Sequence, residues 1–396
     1  MQSTLPTPSR GAGAEPPSSL RGYLWLYAAL YGAYGTESAY LPAFLQSHGL
    51  AVERVGLVLA AGTLIRLLSG PPIGRLADHL RLRKQVLALV GALSGVIGLA
   101  YVVAFGFLPL LVVVLAASAA TASLAPLSDA LSVAAASVGR GFQYGWVRGA
   151  GSAAFVAGTL LSGQLIDRVG LVSIIVTSSA LFLTTALCAM RVSSQRQDAA
   201  QPEAGAFKFL WRIAAYRRLI FVVVLVLGSH AMNDTFAVIS WRAAGYGGGA
   251  VSLLWSVSVA AEVLVFFLLG PWLLARLGPA RCATLSAGAG ALRWGVVGAT
   301  ASMPALIGAQ SLHGLTFALL HMVAMQIIAK SVPERLAATA QTVYNSFALG
   351  LASASLTFAS GYLYGWFGMR AFWAMSALCV AALPLVGALR SEEKRA

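Results

Sequence analysis

Apolar stretches long enough to cross a bilayer, roughly 20 residues each, follow one another along nearly the whole chain, separated by short polar, glycine- or proline-bearing turns. The boundaries read as 21–45, 54–76, 85–105, 108–135, 143–166, 171–191, 216–241, 250–274, 280–300, 303–329, 338–364 and 368–389. Residues 192–215 are the one long polar interruption. The pattern therefore predicts an all-α membrane protein of twelve transmembrane helices in two six-helix halves, 21–191 and 216–389. A tail rich in Pro, Ser and Gly (1–20), a polar linker (192–215) and a short end (390–396) complete it. No basic region, apolar run and small-residue cleavage site precede the first span, so no removable signal is expected.

Composition sharpens this picture. The chain is 58% hydrophobic and 10% charged, with mean hydropathy +0.79, whereas soluble domains carry about 25% charged residues. A bilayer is thus the expected partner, and the 41 glycines suit closely packed membrane helices. Cys188, Cys282 and Cys379 are far apart and have no disulfide or metal-ligand spacing.

A net charge of +14 first suggests nucleic acid, but its distribution excludes that reading. With both termini on one side, 20 Lys and Arg fall on that side and 4 (Arg54, Arg168, Arg242, Arg370) on the other. By the positive-inside rule this predicts cytoplasmic termini, in a bacterial inner membrane. The basic charge is topological.

The halves repeat weakly. A shift of 196 positions pairs Gly32 with Gly228, Arg66 with Glu262, and Glu37 with Asn233 beside Asp234. Internal repeats in a membrane protein point to a transporter with its site between the repeats.

Charges inside spans are costly and mark function by default. Seven are expected there: Glu37, Arg66, Asp129, Arg148, Asp234, Glu262 and Arg293. Four acids against three arginines leave one carboxylate over, and an unpaired carboxylate away from water takes up a proton. Asp129 and Arg148 lie at matching depth, roughly 8–9 Å from one face at 1.5 Å per residue. They form either a substrate-binding pair or a permanent staple. Glu262 and Arg293 form either a coupling pair or a fixed bridge. Tyr27, Tyr31, Tyr34 and Ser38 make a stripe on the first helix, with Glu37 beside it. That stripe suits either a wall for a ring-bearing solute or plain helix packing. His313 and His321 share a broad face with no third ligand, so no metal site is expected, while His48 and His79 read as surface. No nucleophile–base motif or phosphate-cradling loop stands out, so neither enzyme activity nor a cofactor is expected.

The loop Gly74-Arg75-Leu76-Ala77-Asp78, followed by Arg81, Arg83 and Lys84, resembles the signature of the major facilitator superfamily. It departs from that signature where a glycine is expected near position 81. The resemblance implies a conformational latch at Gly74, Asp78 and Arg83. Further motifs narrow it to the phenylpropionate-transporter and lactose-permease branch. Phe142-Gln143-Tyr144-Gly145-Trp146-Val147-Arg148 is similar to the start of helix five, where that branch has a sugar-contacting arginine, and Pro126-Leu127-Ser128-Asp129 holds its acidic partner. Leu292-Arg293-Trp294 matches a coupling arginine. Gln310-Ser311-Leu312-His313-Gly314-Leu315-Thr316-Phe317, with His321, Pro333, Gln341, Tyr344 and Asn345, continues the pattern. Thr316 stands where lactose permease carries a titratable glutamate. The repeat and the resemblance together imply alternating access, and with the buried charges and the tyrosine stripe they place substrate at Asp129, Arg148, Tyr31, Tyr34, Glu37 and Asn345. Protons are expected at Glu262, Arg293, His313 and Asp234. The favoured reading is proton-coupled symport of an aromatic acid, nucleoside or sugar-like solute by a monomer. An efflux antiporter and a nontransporting sensor are the alternatives.

Overall fold

The computed structural model describes residues 20–138, 142–192 and 206–393. Most of the expected 1–20 tail, residues 193–205 of the expected linker and the last three residues lie outside them. Among the described residues the chain is helical, without strands. The first half comprises α1 (Leu20–Glu37), α2 (Leu41–Ser47), α3 (Val52–His79), α4 (Arg83–Leu99), α5 (Phe107–Thr121), α6 (Leu124–Val138), α7 (Tyr144–Val169) and α8 (Val172–Ala189). The second comprises α9 (Ala206–Arg212), α10 (Ala214–Val226), α11 (His230–Ala243), α12 (Gly248–Leu264), α13 (Gly270–Ala299), α14 (Met303–Ser311), α15 (Leu320–Ser331), α16 (Ala337–Val343), α17 (Ala352–Phe367) and α18 (Phe372–Glu393). Within the segment expected to be a linker, α9 is ordered, and its Leu210 is buried.

Nine helical runs among the described residues are long and apolar enough to cross a bilayer. Two are far longer than one crossing needs: 248–299 has 52 residues and 339–387 has 49. At 1.5 Å per residue, each exceeds twice the roughly 30 Å hydrocarbon thickness. Both are broken where glycine takes a left-handed backbone that ends a helix cheaply. Gly278 has φ 76° and ψ 165° inside α13, with Pro279 restarting the helix, and Gly368 has φ 54° after α17. Large apolar side chains face outward, including Val103, Phe267 and Trp366 at 79%, 74% and 72% exposure. In water such a surface would aggregate; against lipid tails it is the matching solvent. Polar groups turn inward instead, and Arg293 and Gln310 are almost wholly buried.

Small residues bring the helices together, the device expected where burial of apolar surface cannot drive association. A Cβ on Gly158 of α7 would stand 2.6 Å from the Gly32 carbonyl of α1. Between the halves, a Cβ on Gly56 of α3 would stand 2.8 Å from the Cα of Gly361 on α17. The same end of the molecule, opposite the loop bearing Asp78 and Arg83, carries two further cross-half links. The Tyr40 hydroxyl donates to the Gly248 carbonyl (2.9 Å). Asp167 of α7 accepts from the backbone N–H groups of Gly248 and Gly249 at 2.6 and 2.8 Å. The glycines opening α12 have no side chain with which to cap it, so the cap comes from the other half. His48, expected at the surface, is buried between Phe44 and Phe105, with ring centroids 3.9 and 4.7 Å away. Its loop folds back onto the apolar first half.

Candidate functional site

A cavity of about 440 Å³ lies between the halves. Tyr31, Tyr34, Arg66, Arg148 and Phe155 line it from the first half and Glu262 from the second. Its aromatic wall follows from α1: Tyr31 and Tyr34 are three residues apart and share a face. Their rings pack edge to face 6.0 Å apart, and Tyr27 stacks on Tyr31 at 5.5 Å.

The Asp129–Arg148 ion pair expected from matching depth is not closed. Asp129 accepts from the Tyr27 hydroxyl at 2.5 Å and from the Tyr144 hydroxyl at 3.0 Å. Arg148 instead lies over the Tyr31 ring, 4.6 Å from its centroid. The offset is one helical turn on both elements. Tyr27 and Tyr144 hold the carboxylate, while Tyr31 and Arg148, four residues further on α1 and α7, meet at the cavity. Four residues rise about 6 Å, enough to separate the charges. The half-exposed guanidinium is thereby left with a π face behind it and open space in front.

In the second half, Glu262 and Arg293 do not touch directly; His313 stands between them. Arg293 Nη1 donates to His313 Nδ1 at 2.9 Å, and His313 Nε2 is 3.3 Å from a Glu262 carboxylate oxygen. A guanidinium only donates, so Nδ1 must accept and the neutral ring carries its proton on Nε2, facing Glu262. Arg293 also donates to Thr316 Oγ1 (3.2 Å) and Gln310 Oε1 (2.8 Å), and it lies over Trp294 at 4.2 Å. Gln310 donates onward to Asn233 Oδ1 (3.2 Å), whose amide reaches Asp234 at 3.4 Å. A continuous polar chain therefore runs Glu262, His313, Arg293, Gln310, Asn233, Asp234, from α12 through α13 and α14 to α11. It suits compensation of buried charge, not covalent chemistry. Gly314 lets α12 come close to this chain; a Cβ there would stand 2.7 Å from the Ala261 carbonyl carbon. The helix passes through a π turn at Leu315–Leu319 directly after it, and such turns are common at functional sites.

Glu37 lines a separate chamber of about 130 Å³ with Tyr101 and Arg66. Asn345 lies on the π turn Tyr344–Leu351, exposed, away from both chambers' walls. His321 is bound to the Tyr344 hydroxyl at 2.8 Å. In the loop, Arg83 Nε donates to Asp78 at 2.5 Å, while Gly74 has nothing within 4 Å of its Cβ position. Arg81, at the departure from the motif, has φ 58°, the left-handed backbone for which a glycine is the unstrained choice. Among the described residues no three His, Cys, Asp or Glu side chains gather as a metal-holding group. Tyr144, Gln310, Asn233 and Asp167 join these sites without standing out in the sequence as functional. Only the uncapped Gly247-Gly248-Gly249 start of α12 hinted at the last.

Comparison with known proteins agrees with this architecture. Residues 19–375 match the model of the MFS_1 like family. The chain is 33% identical over 375 residues to a probable 3-phenylpropionic acid transporter of Escherichia coli K12, covering 92% of this chain and 97% of that one. It is 24% identical to the maltose permease of Geobacillus stearothermophilus, over 93% of this chain and 94% of that one. Among solved structures it is similar to the nucleoside transporter NupG, with a TM-score of 0.81 at 15% identity, covering 94% of this chain and 98% of that one. With its helical halves, its lipid-facing apolar surface and its charged central cavity, the chain belongs to the MFS_1 like family: it is a multi-pass membrane transporter of the major facilitator type and not an enzyme.

Proposed function

We propose that this transporter moves a small aromatic carboxylate together with protons, by alternating access around the cavity between its halves. The carrying observation is the pairing of walls: an arginine-rich, aromatic first half faces Glu262, whose close polar partner among the described residues is His313. An anionic headgroup fits Arg148 and its neighbour Arg66, and a ring fits Tyr31 and Phe155. Glu262 holds the coupled proton. Its protonation would weaken the charge assistance in the His313–Arg293 chain and change how the second half meets the solute. Asp129, held by two tyrosines, positions Tyr27 and thereby Tyr31 beneath Arg148; Asp234 closes the far end of the chain. The relative named for 3-phenylpropionic acid supports this solute class.

On this reading the breaks at Gly278 and Gly368 divide the two overlong runs, and α1 supplies a further crossing, for twelve in all in two six-helix halves. Both termini and the Asp78–Arg83 latch face the cytoplasm of a bacterial inner membrane, and the protein acts as a monomer. The seal formed by Asp167, Gly56 and Gly361 at the opposite end corresponds to an inward-facing state.

The test is uptake of labelled 3-phenylpropionate into proteoliposomes under an imposed pH gradient. Accumulation should collapse with a protonophore. Glu262→Gln should keep solute exchange across the membrane while losing gradient-driven accumulation. Uptake unaffected by the gradient would rule out symport, and gradient-driven extrusion would make the protein an antiporter.

A further inference from the structure

The smaller chamber has no part in the cycle just described, yet it shares a wall with the solute cavity. Tyr34, Ser38, Arg66 and Thr121 line both spaces, whereas Glu37 lines only the smaller. Arg66 is thus a single cation serving two compartments, with a carboxylate in one and the solute's place in the other. Its side chain makes a long 3.5 Å contact to Thr121 Oγ1, too weak a bond to hold it on either side. No ion pair within 4 Å joins it to Glu37 among the described residues.

Among the described residues the surroundings of Glu37 offer no second cation to replace it. Arg66 of α3 and the tyrosines Tyr34 of α1 and Tyr101 of the turn after α4 are the ionisable groups near it. The α4, α5 and α8 helices present the neutral hydroxyls of Ser94, Ser118, Thr121 and Ser178. On α7, Thr159 and Ser162 spend their hydroxyls on the backbone carbonyls of Gly35 and Thr36. A carboxylate within a membrane stays ionised only with a counter-charge or a generous set of donors.

We propose that Glu37 is a second proton carrier of this transporter, exchanged against the solute through Arg66. In the solute-free transporter the Arg66 charge faces Glu37 across the smaller chamber that both line and keeps it ionised without direct contact. When the solute carboxylate enters the cavity, the guanidinium turns towards it, and Glu37, left without that charge, takes up one proton from water. Charge balances within the first half: one anion arrives and one proton neutralises the carboxylate that Arg66 has left. Release of the solute returns Arg66 to Glu37 and expels the proton. This deepens the symport reading, on which it rests, by adding a proton that does not pass through Glu262.

Calorimetric titration of the purified full chain with 3-phenylpropionate, in buffers of different ionisation enthalpy, counts protons taken up per solute bound. Wild type should take up protons. Glu37→Gln should bind at least as tightly and take up about one proton fewer, Glu37→Asp should restore the count, and Glu262→Gln should leave the Glu37 share in place. Arg66→Gln, in which Glu37 is already protonated, should bind at least tenfold more weakly and also lose about one proton. An unchanged count in Glu37→Gln or in Arg66→Gln, or binding by wild type without proton uptake, overturns the proposal while leaving the solute class intact. Failure of wild type to bind the carboxylate, with binding of a neutral sugar or nucleoside, overturns the solute class and this proposal together.

Discussion

Replacing Asp167 by alanine tests whether the cap between the halves belongs to one conformation or to the fold as a whole. The carboxylate accepts two backbone N–H groups, at 2.6 and 2.8 Å, at the start of a helix with no capping side chain of its own. Losing an N-cap costs about 1 kcal/mol, and removing a negative charge from a helix N-terminus costs up to about 1 kcal/mol more. The two groups are on different halves, so under the proposed alternating access the bonds exist only while this end is shut. The full loss of about 2 kcal/mol therefore weighs on the closed state alone and shifts the open-to-closed ratio about 30-fold, at roughly tenfold per 1.4 kcal/mol. Asp167→Asn, which keeps one acceptor and no charge, should fall between. The assay is the maleimide labelling rate of a cysteine at Ser252, buried in this seam, on a background without Cys188, Cys282 and Cys379. Labelling should quicken about tenfold or more in Asp167→Ala. A lower melting temperature with an unchanged labelling rate would refute this reasoning, because the bonds would then persist in both states.

Arg81→Gly should stabilise the protein by about 1 kcal/mol, because φ 58° costs an arginine that much more than a glycine; thermal unfolding in detergent measures it. Arg293→Lys should cost about 2–3 kcal/mol, since a lysine cannot serve Gln310, His313 and Thr316 in one geometry. The same melting experiment checks it. Gly361→Val should abolish uptake while preserving solute binding, because the side chain would collide with the Glu53 carbonyl, 2.9 Å from its Cβ, and prop this end open; binding and uptake measured in parallel separate the two. Trp294→Phe keeps the ring under Arg293 but loses the 2.7 Å bond from Nε1 to Ser229, a loss of about 1 kcal/mol with little change in proton coupling.

Much of the helical architecture is legible in the sequence because a bilayer imposes length and polarity on every crossing. The charged positions are legible for the same reason: Arg66, Arg148 and Glu262 stand out in apolar runs and do meet at one cavity. Their partners are not. Depth along a helix follows from counting residues, but azimuth depends on how each pair of helices is rotated and offset, which no single helix records. Asp129 and Arg148, expected at matching depth by residue count, are offset by about a turn, and two tyrosine hydroxyls take the place of the expected guanidinium. Similarly, Glu262 and Arg293 are expected face to face, and the imidazole between them comes from a third helical segment. His48 departs from expectation because a loop residue reads as wet, whereas this loop folds back onto Phe44 and Phe105.

The imidazole of His313 has one lone pair, and Arg293 already occupies it. If Glu262 carries the proton of the proposed symport, that proton has nowhere further to go until the guanidinium lets go of the ring, and that guanidinium also fastens Gln310 and Thr316 on the neighbouring helical segments. On the proposed symport, electrical and mechanical events at this point become one event: the ring could be charged only by unfastening α13 from its neighbours, so the geometry of a single nitrogen would oppose proton leakage without movement of helices.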